Sequence, residues 1–173
     1  MAELLNFVVW LPVAGMLAIA LIPASQENTV RQLTLWLMIV QFVATAVLYV
    51  NFDSSATGLQ FETRVPWIES WGVSYHIGLD GINILLVMLT AFLGPLVVAG
   101  AFSAITKEVK LFYAMVFFIQ FAMMGTFVAQ DLFLFYVFWE TMLIPMFLII
   151  GIWGGERRIY ACLLYTSPSP RDS

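Results

Sequence analysis

The chain has 173 residues, of which 62% are hydrophobic and only 10% are charged, and its formal net charge is −4. Soluble domains are usually about 45–50% apolar and about 25% charged, so this composition indicates an integral membrane protein. The negative charge excludes a basic patch for nucleic acid. A single cysteine and a single histidine argue against a cysteine or histidine metal site on this chain.

Five apolar stretches are long enough to cross a membrane, since a spanning helix needs roughly 20 mostly apolar residues. Backbone polar groups within lipid must be paired inside the segment, so these stretches are expected to be helices. The first should be retained rather than cleaved, because Met1-Ala2-Glu3 lacks the positive charge of a signal peptide. The predicted fold is an all-α membrane protein with spans at 4–22, 33–50, 82–102, 111–128 and 132–153.

The cations between the spans predict the orientation, because lysine and arginine collect on the cytoplasmic side. Only Arg64 lies in the connections on one side of the predicted spans. The N-terminus is therefore expected outside. The cations on the opposite side are Arg31, Lys107, Lys110, Arg157 and Arg158, and Arg157 and Arg158 are interpreted as topology anchors.

The long outer connection, 51–81, carries two stretches in which apolar and polar residues alternate. Such alternation favours short strands, so a hairpin turning near Pro66 and Trp67 is predicted. Asp80 and Asp131 each precede an apolar run, and aspartate at such a position satisfies free backbone N–H groups at the positive end of a helix. Both are predicted to be helix caps.

Glu140 is the most expensive residue of the chain to place in lipid. It lies eight residues into the fifth span, roughly 12 Å from the outer end at 1.5 Å per residue, which is close to the membrane midplane. A charge at that depth costs at least about 2.5–3.5 kcal/mol, so intramembrane carboxylates usually mark function. Glu140 is predicted to be a proton relay; the alternative is a glutamate that hydrogen-bonds to a neighbouring helix for packing.

Few residues on the chain are placed to hydrogen-bond to Glu140 or to compensate its charge. Tyr136 is its one polar neighbour at helical spacing, and no lysine, arginine or histidine falls inside a predicted span. Gln120 in the fourth span lies at a similar depth, and a Gln120–Glu140 hydrogen bond is a hypothesis. Pro145 leaves the carbonyl of Thr141 without its helix partner, which either admits a polar group beside the carboxyl or is a routine kink. The partner charge is expected from outside this chain.

Three sequence runs resemble one family. The run from Asp131 to Met146, which contains Trp139-Glu140 followed by Pro145, is similar to a signature of the antiporter-like membrane subunits of respiratory complex I. Gly78-Leu79-Asp80-Gly81-Ile82-Asn83 and Gly154-Gly155-Glu156-Arg157-Arg158-Ile159-Tyr160-Ala161 agree with it. Within the family the chain M group, also called subunit 4, is the closest.

The resemblance implies a membrane-arm subunit of proton-pumping NADH:quinone oxidoreductase. It implies that Glu140 pairs with a lysine on a later helix, and that Trp139 belongs to the same signature. NADH, flavin, iron–sulfur clusters and quinone would be bound by partner subunits, with no cofactor on this chain. The other membrane-arm subunits and the lipid bilayer would be its partners, and the location would be a bacterial inner membrane.

The chain departs from the family at its end. Family chains have a dozen or more helices, and the resemblance covers 1–161. The resemblance implies that residues 1–161 are the N-terminal transmembrane part of such a subunit. Residues 162–173 are predicted to be foreign or disordered. The 173-residue chain is expected to be inactive alone. Two other interpretations stay open: a subunit of a multi-subunit cation/proton antiporter or membrane-bound hydrogenase, and a passive membrane assembly subunit.

Overall fold

A computed structural model describes residues 1–154 of the chain. It contains five helices that are long and apolar enough to cross a membrane, as predicted. The predicted all-α membrane fold is confirmed, whereas the side of the membrane on which the N-terminus lies stays a prediction. The helices are α1 (Ala2–Ala20), α2 (Glu27–Val50), α3 (Asn83–Ala104), α4 (Val109–Val128) and α5 (Leu132–Trp153).

Helix α2 begins at Glu27, six residues before the predicted start at 33. Its first turns are polar, and hydropathy detects only the part of a helix that suits hydrocarbon. The extra turns are held by Arg31, whose guanidinium Nη2 donates a 3.1 Å hydrogen bond to the carbonyl of Ile105 and lies 3.8 Å from Glu27. A helix can therefore continue beyond the apolar run that reveals it.

The connection between α2 and α3 forms the predicted hairpin, with antiparallel strands β1 (Gln60–Ile68) and β2 (Val73–Leu79). The predicted turn at Pro66 and Trp67 is wrong, because both residues lie within β1 and Pro66 pairs with Ser74. The chain reverses at Gly72, whose φ of 68° is the left-handed conformation that glycine adopts without cost. Pro66 is tolerated because β1 has one neighbouring strand only.

The hairpin covers one end of the helix bundle. Trp10 of α1 donates from its indole to the Tyr75 hydroxyl at 3.0 Å, and that hydroxyl donates to Asn6 at 2.7 Å. The backbone N–H of Gln130 donates to the His76 carbonyl at 2.7 Å, which ties the α4–α5 turn to β2. The hairpin and the turn that precedes Glu140 therefore lie at the same end of the molecule.

Helices α1 to α4 pack around a common core, and α5 lies against α4 at the edge. Only Leu134, Phe138 and Pro145 are buried in α5. The ring of Phe138 lies against the backbone of Gly125, where a Cβ would overlap it. This close approach sets which face of α5 is covered and which is open.

Candidate functional site: a carboxylate on the open face of α5

Glu140 lies on the open face of α5. It is eight residues beyond Leu132, about 12 Å along the helix axis, and its side chain is exposed. Within residues 1–154 the contacts between acidic and basic side chains are the Arg31–Glu27 ion pair and the contact of His76 with Glu62, so neither involves Glu140. A carboxyl group at this depth requires a polar partner in lipid.

Tyr136 and Trp139 share this open face, with exposed fractions of 58% and 52%. Tyr136 is one helical turn before Glu140, and Trp139 directly precedes it. The Trp139 indole stacks on the ring of Phe135 at a centroid distance of 6.0 Å. The face therefore presents one carboxylate and one phenol on an otherwise apolar and aromatic surface.

The predicted hydrogen bond between Gln120 and Glu140 is wrong. The two residues do lie at the same depth, since each is eight residues from the end of its helix at the α4–α5 turn. They point in different directions. Gln120 is buried, and its amide donates to the side-chain oxygen of Gln41 at 2.8 Å and to the carbonyl of Thr90 at 3.1 Å.

Pro145, interpreted either as admitting a polar group beside the carboxyl or as a routine kink, is separated from Glu140. It is buried in the packed face of α5, whereas Glu140 is exposed. Five residues correspond to about 140° of rotation around a helix with 3.6 residues per turn, so the two side chains lie on largely opposite sides. Thr141, whose carbonyl Pro145 leaves free, borders an apolar groove of about 320 Å³ that Trp10 and Tyr75 also line.

The polar residues that the structure does bring together lie in the four-helix core, and the sequence interpretation missed them. Gln41 of α2 donates from its amide to the Val8 carbonyl of α1 at 2.8 Å and accepts from Gln120 of α4. Because Gln120 also donates to Thr90 of α3, one chain of hydrogen bonds joins α1 to α4. The sequence did contain a signal for these hydrogen bonds, because Gln41 is a lone amide deep within an apolar span.

Both aspartates act as caps. The Asp131 carboxylate accepts from the backbone N–H groups of Phe133 and Leu134, and also from Ser74 of the hairpin. The hydrogen bond from Ser74, followed by those within α5, holds the pKa of Asp131 below its ordinary value of 3.8. Asp80 accepts from the backbone of Asn83 while Asn83 accepts from that of Asp80, which is the reciprocal arrangement of a capping box.

Two cations at the opposite end of the bundle cap helix C-termini. The Lys110 ammonium donates to the Ala20 carbonyl at the end of α1, at 2.9 Å, and Arg31 donates to the carbonyl of Ile105 directly after α3. These contacts neutralise the negative ends of two helix dipoles. The anchors Arg157 and Arg158, and the tail predicted at 162–173, lie outside the described residues.

Among residues 1–154 no group of three or more histidine, cysteine, aspartate or glutamate side chains could hold a metal ion. The open face of α5 carries one carboxyl group, that of Glu140. Such a group changes charge when a neighbouring charge changes, because a cation stabilises the ionised form and lipid stabilises the neutral form.

Comparison with known proteins gives consistent matches. A family model described as NADH:quinone oxidoreductase/Mrp antiporter, TM matches residues 129–168, a segment that contains Glu140. NADH-quinone oxidoreductase subunit M of Rhodobacter capsulatus is 42% identical over 96% of this chain and 33% of its own length. NADH-ubiquinone oxidoreductase chain 4 of Marchantia polymorpha is 35% identical over 94% of this chain and 34% of its own.

A solved structure, respiratory complex I from Thermus thermophilus with bound NADH, contains a chain with the same fold. The TM-score is 0.75 at 28% sequence identity, over 94% of this chain and 32% of that chain. The chain thus spans about a third of the length of the curated relatives that it matches. The similarity covers the helices and the hairpin that position the open face of α5.

Proposed function

This chain belongs to the antiporter-like membrane subunits of respiratory complex I, and on that premise we propose that it works in the membrane arm of a proton-pumping NADH:quinone oxidoreductase. In this role it couples electron transfer from NADH to quinone to the movement of protons. One observation supports the proposal above the others: Glu140 lies about 12 Å from the start of the candidate span α5, on an open helix face, and is unpaired within residues 1–154.

The proposed role of Glu140 is a proton relay. A lone carboxylate in hydrocarbon is costly, so the open face needs a polar partner from outside the described residues. A lysine brought against Glu140 would favour the ionised carboxylate, and movement of that charge would release the stabilisation and return a proton. Tyr136 and Trp139 share the face and are the residues of this chain that border the partner.

The cofactors and partners follow from the family. In this proposal NADH, flavin, iron–sulfur clusters and quinone are bound by partner subunits, and the other membrane-arm subunits and the bilayer surround this chain. The relatives include a bacterial subunit M and a plant chain 4, both named as NADH oxidoreductase subunits. Those names favour the complex I role over a cation/proton antiporter or hydrogenase subunit, and we propose the bacterial inner membrane as the location.

The test is replacement of Glu140 in the complete complex. Glu140→Gln keeps the size and the hydrogen-bonding capacity of the side chain but removes the titration. Proton pumping driven by NADH should fall about tenfold or more, because loss of a positioned proton-transfer group typically costs at least that much. Glu140→Asp should retain part of the pumping, and Glu69→Gln, an exposed carboxylate of the hairpin, serves as the matched control.

Two results would contradict the proposal. Normal pumping by an assembled Glu140→Gln complex would favour the passive assembly role. Proton movement that depends on an alkali cation and not on NADH would favour the antiporter interpretation. Assembly is measured on the same membranes, so that loss of the complex is not mistaken for loss of transport.

A further inference from the structure

A groove runs between the end of α1 and the start of α4, far from Glu140. It is independent of the proposed proton relay. We call it the rim groove, with a volume of about 280 Å³. Its walls are apolar and are formed by Met16, Ile19, Leu111 and Ala114, while Glu108 and Lys110 stand at its rim.

Helix α1 ends at Ala20 and helix α4 begins at Val109, so Glu108 and Lys110 lie at the ends of two candidate spans. The ends of spans of this length are expected at the boundary between lipid and water. The apolar walls continue from there along the spans. A long charged side chain at such a boundary extends its stem over apolar surface and keeps its charge in the polar layer.

The two rim charges are of opposite sign and do not neutralise each other. Lys110 donates one hydrogen bond, to the Ala20 carbonyl, and an ammonium group has three N–H donors. In the described part of the chain, neither Glu108 nor Lys110 forms an ion pair. An apolar groove therefore ends in one cation with spare donors and one carboxylate with spare acceptors.

We propose that the rim groove binds one phosphatidylethanolamine molecule. An acyl chain lies along Met16, Ile19, Leu111 and Ala114, the headgroup phosphate accepts from Lys110, and the headgroup ammonium donates to Glu108. A zwitterion with a hydrogen-bonding ammonium matches both rim charges at once.

The same charges disfavour the other common headgroups. Phosphatidylglycerol places a net negative charge beside the Glu108 carboxylate and leaves that carboxylate without a donor. Phosphatidylcholine carries the matching charges, but its trimethylammonium has no N–H to donate. The preference for ethanolamine therefore depends on Glu108, and the affinity for any phosphate headgroup depends on Lys110.

The test is native mass spectrometry of the 173-residue chain in detergent, titrated with dioleoyl lipids of the three headgroups. Phosphatidylethanolamine should give the first 1:1 adduct at about threefold lower concentration than the other two, the scale of one exposed charge-assisted contact. Glu108→Gln should remove this preference. Lys110→Gln should weaken all three adducts, and Lys107→Gln, a neighbouring cation that does not line the groove, is the control.

One further variant guards against misfolding, since Lys110 also caps α1. Ala114→Trp fills the groove and should remove the adduct while α1 keeps its cap. Equal adducts for the three lipids, a preference for phosphatidylglycerol, or an adduct that survives in Ala114→Trp would overturn the proposal, as would occupation of the groove by a second polypeptide.

Discussion

The amide of Gln41 donates a 2.8 Å hydrogen bond to the carbonyl oxygen of Val8, the backbone group that Pro12 leaves without a partner. Proline has no N–H, so the carbonyl four residues before it loses its helical hydrogen bond. In lipid such a group must be satisfied by a neighbouring helix. Gln41 supplies the missing donor from α2, and its own oxygen accepts from Gln120.

Gln41→Leu should therefore destabilise the fold, and Pro12→Ala should reduce that effect. With alanine at position 12 the Val8 carbonyl regains its own helical donor, so less is lost when Gln41 is removed. We expect a coupling free energy of about 0.6–1.7 kcal/mol, which runs from the average to the largest value measured for interhelical hydrogen bonds in a membrane protein. A double-mutant cycle of reversible unfolding in mixed detergent micelles measures it.

The matched control for this cycle is Gln32→Leu, an exposed glutamine on the same helix. It should leave the free energy of unfolding within about 0.5 kcal/mol of the parent. Purely additive effects of Gln41→Leu and Pro12→Ala would show that the Val8 contact is not what couples the two positions.

Gly125 is expected to control how α5 docks on α4. A Cβ at this position would overlap the ring of Phe138, which is one of the three buried residues of α5. Gly125→Ala should destabilise the α4–α5 contact by about 1–3 kcal/mol, as overpacking usually does. The measurement is the unfolding free energy together with proteolytic release of α5.

Gly151→Ala in α5 is the comparison, because an added Cβ there meets nothing within 4 Å. It should not destabilise the protein, because alanine is more favourable than glycine inside a helix. The second variant Gly125→Ala with Phe138→Leu should recover part of the loss, since a smaller side chain leaves room for the methyl group. No recovery would mean that the Gly125 effect comes from helix α4 itself.

Asp131 should make the start of α5 sensitive to acid. Its pKa is lowered in the folded state by hydrogen bonds, first from Ser74 and then from the first turn of α5. A lowered folded pKa contributes stability that is present above the ordinary value of 3.8 and is lost as pH falls through the folded pKa. Asp131→Ala should cost about 1 kcal/mol at pH 7 and less near pH 3.

Unfolding of the parent and the variant at pH 7, 5 and 3 tests this, with Glu69→Ala as an exposed control. Asp131→Asn should stay close to the parent at pH 7, because asparagine also caps helices, and its stability should vary less with pH. A constant difference between parent and Asp131→Ala over the whole range would contradict the role of the ionised carboxylate.

The sequence predicted the helices and the position of Glu140 along α5 well, because both depend on properties read along a single element. The apolar run from 132 to 153 coincides with α5, and residue spacing alone places Glu140 and Gln120 at equal depth. Asp131 was likewise recognisable as a cap, because a helix needs a side-chain acceptor at its start.

The direction in which each side chain points was not predictable in the same way. Helix α5 is apolar all round, so its pattern does not reveal that Phe138 is covered and Glu140 is open. The covered face of α5 is determined by the close contact between Phe138 and Gly125 of α4, which the pattern of one helix does not show. The turn of the hairpin was misplaced for a similar reason: Pro66 resembles a turn residue, but Gly72 provides the left-handed backbone.

The open position of Glu140 predicts its reactivity. A carboxyl group that faces away from the bundle at mid-membrane depth is accessible to a lipophilic carbodiimide, which reacts with the protonated acid. In the 173-residue chain we expect modification at Glu140, detected by mass spectrometry of the α5 peptide. Glu140→Gln should remove it, and a water-soluble carbodiimide should instead modify exposed carboxylates such as Glu69.

Gln120→Leu tests whether the Glu140 carboxyl group lies on the open face of α5 or beside the amide of Gln120. Because Gln120 bonds to Gln41 and Thr90, its removal should leave the rate of Glu140 modification unchanged within about twofold, while the free energy of unfolding falls. Tyr136→Phe should change the rate more, since Tyr136 shares the open face with Glu140. A large change of rate in Gln120→Leu with unaltered stability would instead place the amide beside the carboxylate.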